Sequence, residues 1–374
     1  MSSEIVFKTP MKLKEICSWL DSAVPLDFQE GYDNSGLQTG DPETEILKAM
    51  IAFDITESVI DEALSAGCNL IFSHHPLIFN PIKQLTGKNS VERTLIKAIK
   101  NEIAVYSCHT NLDIFGEGVS KRMAAKIGLH NVNVLSPLKG HLLKLVTYVP
   151  EENIEEVRNA VFEAGAGTIG SYDMCSYNVE GTGSFRGGSD TNPFKGEKSE
   201  LHFEKEIRFE TIMLAHLKDK VIKALIKAHP YEEVAFDIYH LENEYFKAGL
   251  GCVGELKRDV DELQFLKNLS KQFKANGIRY SDPIGKKIRK VAVCGGAGIS
   301  LLKDAINSGA DIFITGDIRY HDFFNAENKI LLADIGHFES EKYSAEILYE
   351  LIIKKFPTFA VQFSETNTNP INYL

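Results

Sequence analysis

Apolar residues in the first 130 positions fall into short continuous runs that alternate with stretches of helical spacing. Continuous apolar runs of four to eight residues are typical of buried strands, and an i, i+3, i+4 spacing is typical of helices that pack on one face. The predicted elements are, in order, helix 11–23, strand 46–55, helix 58–66, strand 69–72, helix 90–100, strand 103–108 and helix 118–127. Alternating strands and helices predict an α/β fold with a mostly parallel sheet.

The same alternation returns near the carboxyl end of the chain. It predicts a strand over 288–294, a helix over 299–307 and a strand over 311–315. Residues 65–74 and 307–316 each contain a helix end, a glycine, an apolar run and a polar residue at the end of that run. This internal correspondence predicts two related α/β halves.

The middle of the chain has a different order of predicted strands and helices. Its predicted elements are strand 142–149, helix 152–164, a hairpin of strands 174–183 and 205–215, helix 218–227 and strand 235–241. The order β-α-β-β-α-β is that of the ferredoxin-like arrangement. We therefore expect an inserted α+β domain at 140–245, between two halves, 1–139 and 246–374, of one domain.

Histidines and carboxylates follow three of the predicted strands. His74 and His75 end the run at 70–72, and the His-x-x-x-acid pairs His109/Asp113 and His337/Glu341 follow later strands. One such pair is more often a solvated helix face than a ligand pair. Three sites at strand ends of one fold favour a metal site, because imidazole and carboxylate suit zinc, iron and manganese.

Two histidines and one glycine turn are further candidates. We assign His109 and His321 as candidate acid–base residues, although His321 could equally be a helix residue that faces solvent. Gly295, Gly296 and Gly298 lie between a predicted strand and a predicted helix, where backbone amides could hold phosphate. A tight strand-to-helix turn explains these glycines equally well.

Three other patterns are interpreted as structural. The GxGxxG match at 249–254 follows a polar stretch and opens no helix, so it is not read as a dinucleotide site. Residues 32–36 (YDNSG) have the composition of a turn, and residues 229–233 (HPYEE) that of a compact polar loop.

Composition and charge narrow the class of protein. A chain of 374 residues exceeds one ordinary core, and its formal net charge of −11 disfavours nonspecific binding to nucleic acid. The six cysteines form no CxxC pair, so a reducing cytoplasm is the expected location. No apolar run approaches the roughly 20 residues that cross a bilayer, so no membrane partner is expected.

Four motifs together resemble the GTP cyclohydrolase I type 2 homolog family, also called the NIF-three-like family of dinuclear-metal proteins. They are SHHPLIF at 73–79, HTNLD at 109–113, GDIRYH at 316–321 and GHFESE at 336–341. The insert, including HPYEE at 229–233, is similar to the PII/CutA-like domain of the longer members.

The resemblance implies a metal centre and an assembly. It implies two divalent metal ions, with zinc first and iron or manganese as alternatives, bound by His74, His75, Asp113, His337 and Glu341. One metal would take His75 and Asp113, the other His74 and His337, and Glu341 would bridge them. It also implies a homohexameric toroid.

The expected function is metal-dependent hydrolysis of a nucleotide or another phosphorylated small molecule. The resemblance implies that GTP is opened to 7,8-dihydroneopterin triphosphate with release of formate. Two alternatives stay open: a non-catalytic metal-binding regulator or sensor, and a phosphoesterase that uses the same metals.

Overall fold

The structure is a computed structural model, and it describes residues 10–374. The described chain divides into two compact units. One comprises the described residues up to Ser136 together with Ala248–Leu374, and the other is Pro137–Lys247, called the insert below. We call residues 10–136 the first half of the larger unit and residues 248–374 its second half.

The elements of the first part of the chain follow the predicted alternation. The helices are α1 (Leu13–Ala23), α2 (Glu57–Ser65), α3 (Ser90–Lys100), α4 (Thr110–Ile114) and α5 (Val119–Ile127). The strands are β1 (Met11–Lys12), β2 (Gly36–Thr39), β3 (Glu45–Ile46), β4 (Ala49–Ala52), β5 (Leu70–Ser73), β6 (Ala104–Ser107) and β7 (His130–Leu138).

The insert and the last part of the chain supply the remaining elements. In the insert these are β8 (Leu142–Pro150), α6 (Ile154–Glu163), β9 (Ser176–Phe185), β10 (His202–Leu214), α7 (Lys218–Ala228) and β11 (Phe236–Leu241). After it come β12 (Tyr245–Asp261), α8 (Glu262–Phe273), β13 (Arg279–Tyr280), β14 (Lys287–Val293), α9 (Leu302–Asn307), β15 (Ile312–Thr315), β16 (Leu331–Asp334), α10 (His337–Glu341), α11 (Ser344–Lys355) and β17 (Val361–Phe363).

A five-stranded sheet in the order β17-β4-β5-β6-β2 forms the core of the first half, and its edge strand β17 comes from the second half. Its first four strands are parallel, and β2 is antiparallel to β6. Leu70 and Phe72 of β5 pack on one face with Leu13, whereas Ile71 packs on the other face with Ile60. Because both faces of β5 are covered, its sequence is a continuous apolar run.

A six-stranded sheet in the order β13-β16-β15-β14-β12-β7 forms the core of the second half, and its edge strand β7 begins in the first half. The strands β14, β15 and β16 are parallel, and β13 is antiparallel to β16. In both halves a helix and a short strand precede three parallel strands, and that short strand pairs antiparallel with the third of them. The larger unit therefore has mixed α/β architecture with one arrangement used twice.

The insert is a four-stranded antiparallel sheet in the order β11-β8-β10-β9. Val157 of α6 and Leu225 of α7 share its core with Phe209 of β10. Chain order and strand order together are those of the β-α-β-β-α-β arrangement.

The two long strands β7 and β12 were not predicted. The GxGxxG match at 249–254 lies inside β12, so no helix begins at its end and no dinucleotide site forms there. Gly251 has φ +68, and a Cβ at this position would lie 3.0 Å from the carbonyl oxygen of Val293. None of the helices in residues 10–374 combines the length and the apolar character needed to cross a bilayer.

Candidate metal centre

Three parallel strands of the first half end side by side, and polar residues follow each of them. β4 leads into Asp54, β5 into His74 and His75, and β6 into His109. Carboxyl ends of parallel strands lie at one edge of a sheet, which is where α/β folds place ligands. The topology therefore brings side chains that are distant in sequence to one place.

The second half adds residues to this edge from α10, the short helix after β16. His337 is its first residue and Glu341 its last, and their i, i+4 spacing puts both side chains on one helix face. Gly336, with φ +95, precedes the helix. A Cβ at 336 would lie 2.1 Å from the carboxylate of Glu339, so the sharp entry into α10 requires glycine.

The side chains from both halves converge on Oε2 of Glu341. Nε2 of His337 lies 2.8 Å from this oxygen, Nε2 of His75 3.3 Å and Nε2 of His74 3.5 Å. Nε2 of His75 is also 3.2 Å from Nε2 of His337. Nε2 of His74 is 3.7 Å from Oδ1 of Asp113, which brings all five predicted ligands into one cluster.

Three buried atoms of this cluster have no hydrogen-bond partner within residues 10–374. They are Nε2 of His74, Oδ1 of Asp113 and Oε2 of Glu341. Buried polar atoms are costly unless they are paired, and a metal ion satisfies nitrogen and carboxylate oxygen together. The ligand atoms of His74, His75 and Glu341 lie within 4.8 Å of one another, so these residues can hold a metal ion.

Each of the three ligand imidazoles is held in one orientation through its Nδ1 atom. The pairs are His74 with the Cys108 carbonyl oxygen (2.9 Å), His75 with Asp54 (2.6 Å) and His337 with Asp317 (2.8 Å). Carbonyl and carboxylate oxygens only accept, so Nδ1 carries a proton, and Nε2 is the atom that faces the cluster and can bind a metal ion once it has lost its own proton. Such outer partners are typical of histidines that bind metals.

Electrostatics at the cluster favour a cation. Burial lowers the pKa of His75, but its hydrogen bond to the Asp54 carboxylate and the negative charge of Glu341 outweigh burial and raise that pKa to about 9. The pKa of His337 rises to about 10 in the same way, against burial, through Glu341 and Asp317. The pKa of Glu341 lies well below its ordinary value despite burial, because three histidines surround the carboxylate.

His109 lies beside the cluster and pairs with Asp33. Its Nδ1 donates to Oδ1 of Asp33 at 2.7 Å, and its ring centroid is 5.4 Å from that of His74 and 5.3 Å from that of His75. Burial opposes ionisation of Asp33, but hydrogen bonds from His109 and Thr110 hold its pKa well below the usual range. Nε2 of His109 is therefore left as an acceptor, as an acid–base group requires.

His321 is placed differently from His109. It is an exposed residue of the 3-10 helix Tyr320–Ala326, and its ring packs against Tyr320 and Phe324. No described contact joins His321 to the five cluster residues. This placement agrees with the solvent-facing alternative for this residue.

The glycine turn does not offer the free amides that a phosphate cradle needs. The amide of Gly295 lies 3.4 Å from the hydroxyl of Ser120, that of Gly296 donates to Ser340 at 3.0 Å, and that of Gly298 donates to Thr315 at 2.8 Å. A Cβ at Gly296, where φ is +57, would lie 2.0 Å from Oε1 of Glu341. The turn therefore makes room for Glu341, and its binding of phosphate stays a prediction that these engaged amides do not favour.

Sequence reasoning missed Asp33 and Asp54 as supports for the cluster histidines. Asp33 lies in the 32–36 stretch that was interpreted as a turn, 76 residues from its partner His109. Asp54 had a usable signal, since it is the polar residue directly after an apolar strand, as His74 is.

The chain has close relatives among known proteins. The Duf34/NIF3 (NGG1p interacting factor 3) profile matches residues 11–370. The chain is 39% identical over 349 residues to a protein from Halalkalibacterium halodurans named "GTP cyclohydrolase 1 type 2 homolog", covering 91% of this chain and 93% of that protein. A Bacillus subtilis protein of the same name is 39% identical over 371 residues, covering 96% and 98%.

Solved structures agree with this relationship. A Bacillus cereus protein related to NIF3 has a TM-score of 0.83 at 37% identity, covering 97% of this chain and 99% of that one. Staphylococcus aureus protein SA1388 has a TM-score of 0.77 at 29% identity, covering 98% and 99%. The profile match and the relatives both span nearly the whole chain, so this protein belongs to the Duf34/NIF3 family.

Proposed function

We propose that the protein is a dinuclear metal-dependent hydrolase that acts on a nucleotide. The first candidate reaction is conversion of GTP to 7,8-dihydroneopterin triphosphate and formate, in line with the name given to its relatives. The observation that carries the proposal is Oε2 of Glu341, a buried oxygen on which three imidazole nitrogens converge and which has no hydrogen-bond partner within residues 10–374.

The distances support two metal positions that share Glu341. The atoms Nε2 of His75, Nε2 of His337 and Oε2 of Glu341 are 2.8–3.3 Å apart. Ligands about 2.0–2.1 Å from a tetrahedral zinc lie about 3.3 Å from one another, so these atoms fit one ion. His74 and Asp113 form the second set, since Nε2 of His74 lies 3.5 Å from the same oxygen and 3.7 Å from Oδ1 of Asp113.

This grouping differs from the one that the resemblance implied. The resemblance joined His75 with Asp113 and His74 with His337, whereas the short distances join His75 with His337 and His74 with Asp113. Because these distances are short, we propose that His75 and His337 bind one metal and that His74 and Asp113 bind the other. Zinc is the first candidate, and iron or manganese suit the same donor set.

When bound, a metal pair supplies Lewis acidity and an activated water for hydrolysis. The chain contributes the groups that orient and move protons. Asp33 fixes the proton of His109 on Nδ1, so Nε2 can take a proton from a reacting group and return it to a leaving group. Asp54 and Asp317 keep the imidazoles of His75 and His337 aimed at Glu341.

The remaining expectations stay proposals. We propose that the two halves arose by duplication, that the insert is PII/CutA-like, that the protein forms a homohexamer, and that it acts in the cytoplasm. The shared strand arrangement supports the first and the strand order of the insert supports the second. Light scattering tests the hexamer.

A second candidate function is metal-dependent regulation without catalysis. It is favoured by the insert, a compact unit with a cavity of its own. Mass spectrometry of metal-loaded protein incubated with GTP and a panel of other nucleotides separates the two. The hydrolase proposal predicts metal-dependent formation of formate and dihydroneopterin triphosphate. Full metal content without change in any nucleotide would favour regulation.

A further inference from the structure

The insert contains a cavity of about 580 Å³ whose lining residues all lie between Tyr148 and Ala235. It adjoins β9, β10 and the HPYEE loop at 229–233. Phe209 of β10 packs with α6 and α7. Successive side chains of a strand point to opposite faces of the sheet, so Glu206 and Arg208 point to the face opposite Phe209. The cavity is therefore separate from the helical core of the insert.

A buried carboxylate belongs to this cavity. Glu206 is only 9% exposed, and its Oε1 accepts a hydrogen bond from the hydroxyl of Tyr231 at 2.8 Å. Within residues 10–374 no lysine or arginine forms an ion pair with it. A Cβ at Gly183 of the neighbouring strand would lie 2.1 Å from Oε2 of Glu206, so glycine there makes room for the carboxylate.

Aromatic rings line the cavity near this carboxylate. The ring of Tyr231 lies 5.9 Å from that of Phe185 and 6.2 Å from that of Phe194. Both pairs are tilted, and the separations leave no slot for a flat base between the rings. Aromatic faces next to a carboxylate favour a cationic group, through cation–π attraction and charge pairing.

The HPYEE loop fixes Tyr231 in place. His229 is buried, its Nε2 donates to the carbonyl oxygen of Tyr148 at 3.0 Å, and its Nδ1 accepts from the amide of Tyr231 at 3.2 Å. Burial lowers the pKa of His229, in keeping with this neutral form. The loop thus holds the Tyr231 hydroxyl on Glu206, a role that composition alone did not indicate.

The cavity also presents a cation. Arg186 is exposed, and no carboxylate among the described residues pairs with it. Arg208, the other arginine of the lining, is bound to Glu210 at 2.8 Å. The buried carboxylate of Glu206 and the exposed guanidinium of Arg186 therefore face one small cavity, whose lining also includes Glu180, Glu232 and Glu233.

We infer that this cavity binds a small amphoteric molecule, with a cationic amine or guanidinium group at Glu206 and an acidic group at Arg186. The aromatic wall of Phe185 and Tyr231 would cover the cationic end. This inference does not depend on the metal centre, whose residues all lie in the larger unit.

Calorimetric titration of the full-length protein tests the inference with two matched pairs of probes. L-Arginine and L-lysine carry both charges, whereas agmatine and cadaverine lack the carboxylate. We expect saturable binding of at least one amino acid, and Glu206→Gln should weaken it about tenfold or more through loss of a charged hydrogen bond. Arg186→Gln should weaken binding of the amino acid and leave its decarboxylated partner unchanged.

Glu204→Gln is the matched control, because Glu204 lies on the same strand, pairs with His202 and is not part of the lining. We expect the affinity of Glu204→Gln for the amino acid to stay within about twofold of wild type. A change of that size is smaller than the effect of losing one hydrogen bond. Gly183→Ala is a second test that keeps all charges but displaces the carboxylate. If Glu206→Gln fails to fold, the exposed Arg186→Gln still decides the question.

Three results would overturn the inference. The first is the absence of saturable binding of any of the four probes up to about 10 mM, a concentration above which binding is weaker than that of specific ligands. The second is an unchanged affinity for the amino acid in Glu206→Gln. The third is binding of GTP in this cavity without binding of any probe.

Discussion

The two halves of the larger unit share a strand arrangement but carry different chemistry at equivalent positions. After the second parallel strand, the first half has His74 and His75 where the second half has Gly316 and Asp317. A Cβ at Gly316 would lie 2.9 Å from the backbone of His337. A histidine would not fit there, because α10 approaches the strand end closely.

This difference shows that two similar sheet edges, one from each half, can together form one asymmetric metal centre. The first half supplies His74, His75 and Asp113, and the second supplies His337 and the shared Glu341. Asp317, at the position of His75, orients His337 instead of facing Glu341.

Removing the charge of the shared residue should have the largest effect. Glu341→Gln replaces the bridging carboxylate with a neutral amide, which bridges metals poorly. We expect loss of at least one of two bound metals, measured by elemental analysis of purified protein. Glu346→Gln is the control, since Glu346 of α11 pairs with Arg122 of α5, away from the cluster. Full metal content in Glu341→Gln would contradict the bridging role.

His109→Asn tests the proton-moving residue of the first half. We expect turnover to fall about 10²–10⁴-fold, the usual loss for a general acid or base, while metal content stays normal. His321→Asn is the paired variant, and we expect it to lower turnover less than His109→Asn does. Loss of metal in His109→Asn would make it a ligand, and a larger effect of His321→Asn would transfer the acid–base role to that residue.

Asp54 and Asp317 hold corresponding imidazoles from the two halves. Asp54→Asn and Asp317→Asn should weaken metal binding by about 10–100-fold, as loss of an outer partner usually does. Asp54 should matter more, since its side chain is 31% exposed against 52% for Asp317, and Thr368 also donates to it. Competition with a chelating dye measures both. Asp282→Asn, at an exposed position, is the control. A larger loss of metal affinity in Asp317→Asn than in Asp54→Asn would contradict this order.

The metal-free protein should lose stability as pH rises. The folded pKa values of His75 and His337, about 9 and about 10, exceed the ordinary 6.5, so protonation of these groups favours the folded state. Their contribution is complete below pH 6.5 and is lost through pH 9–10. Urea titration should show a shallower fall for the double variant His75→Gln/His337→Gln, and identical pH profiles would refute this contribution.

Local pattern was enough to predict the parallel strands that lead into the cluster and the polar residues at their ends. His74, His75, His337 and Glu341 each follow an apolar run, and parallel strands bring such ends together. Local pattern was not enough for residues whose partners are remote. The amides of the glycine turn are engaged by Ser340 and Thr315 of other elements, and Asp33 reaches His109 across 76 positions. β12 was missed because its glycines resemble a loop.

Anomalous diffraction from crystals of zinc-loaded protein locates the bound metal ions. We expect two peaks about 3.5–4 Å apart. Both should lie about 2.0–2.2 Å from the carboxylate of Glu341. One should be bound by His75 and His337, and the other by His74 and Asp113. A single peak, or two peaks that do not share Glu341, would contradict a dinuclear centre built jointly by the two halves.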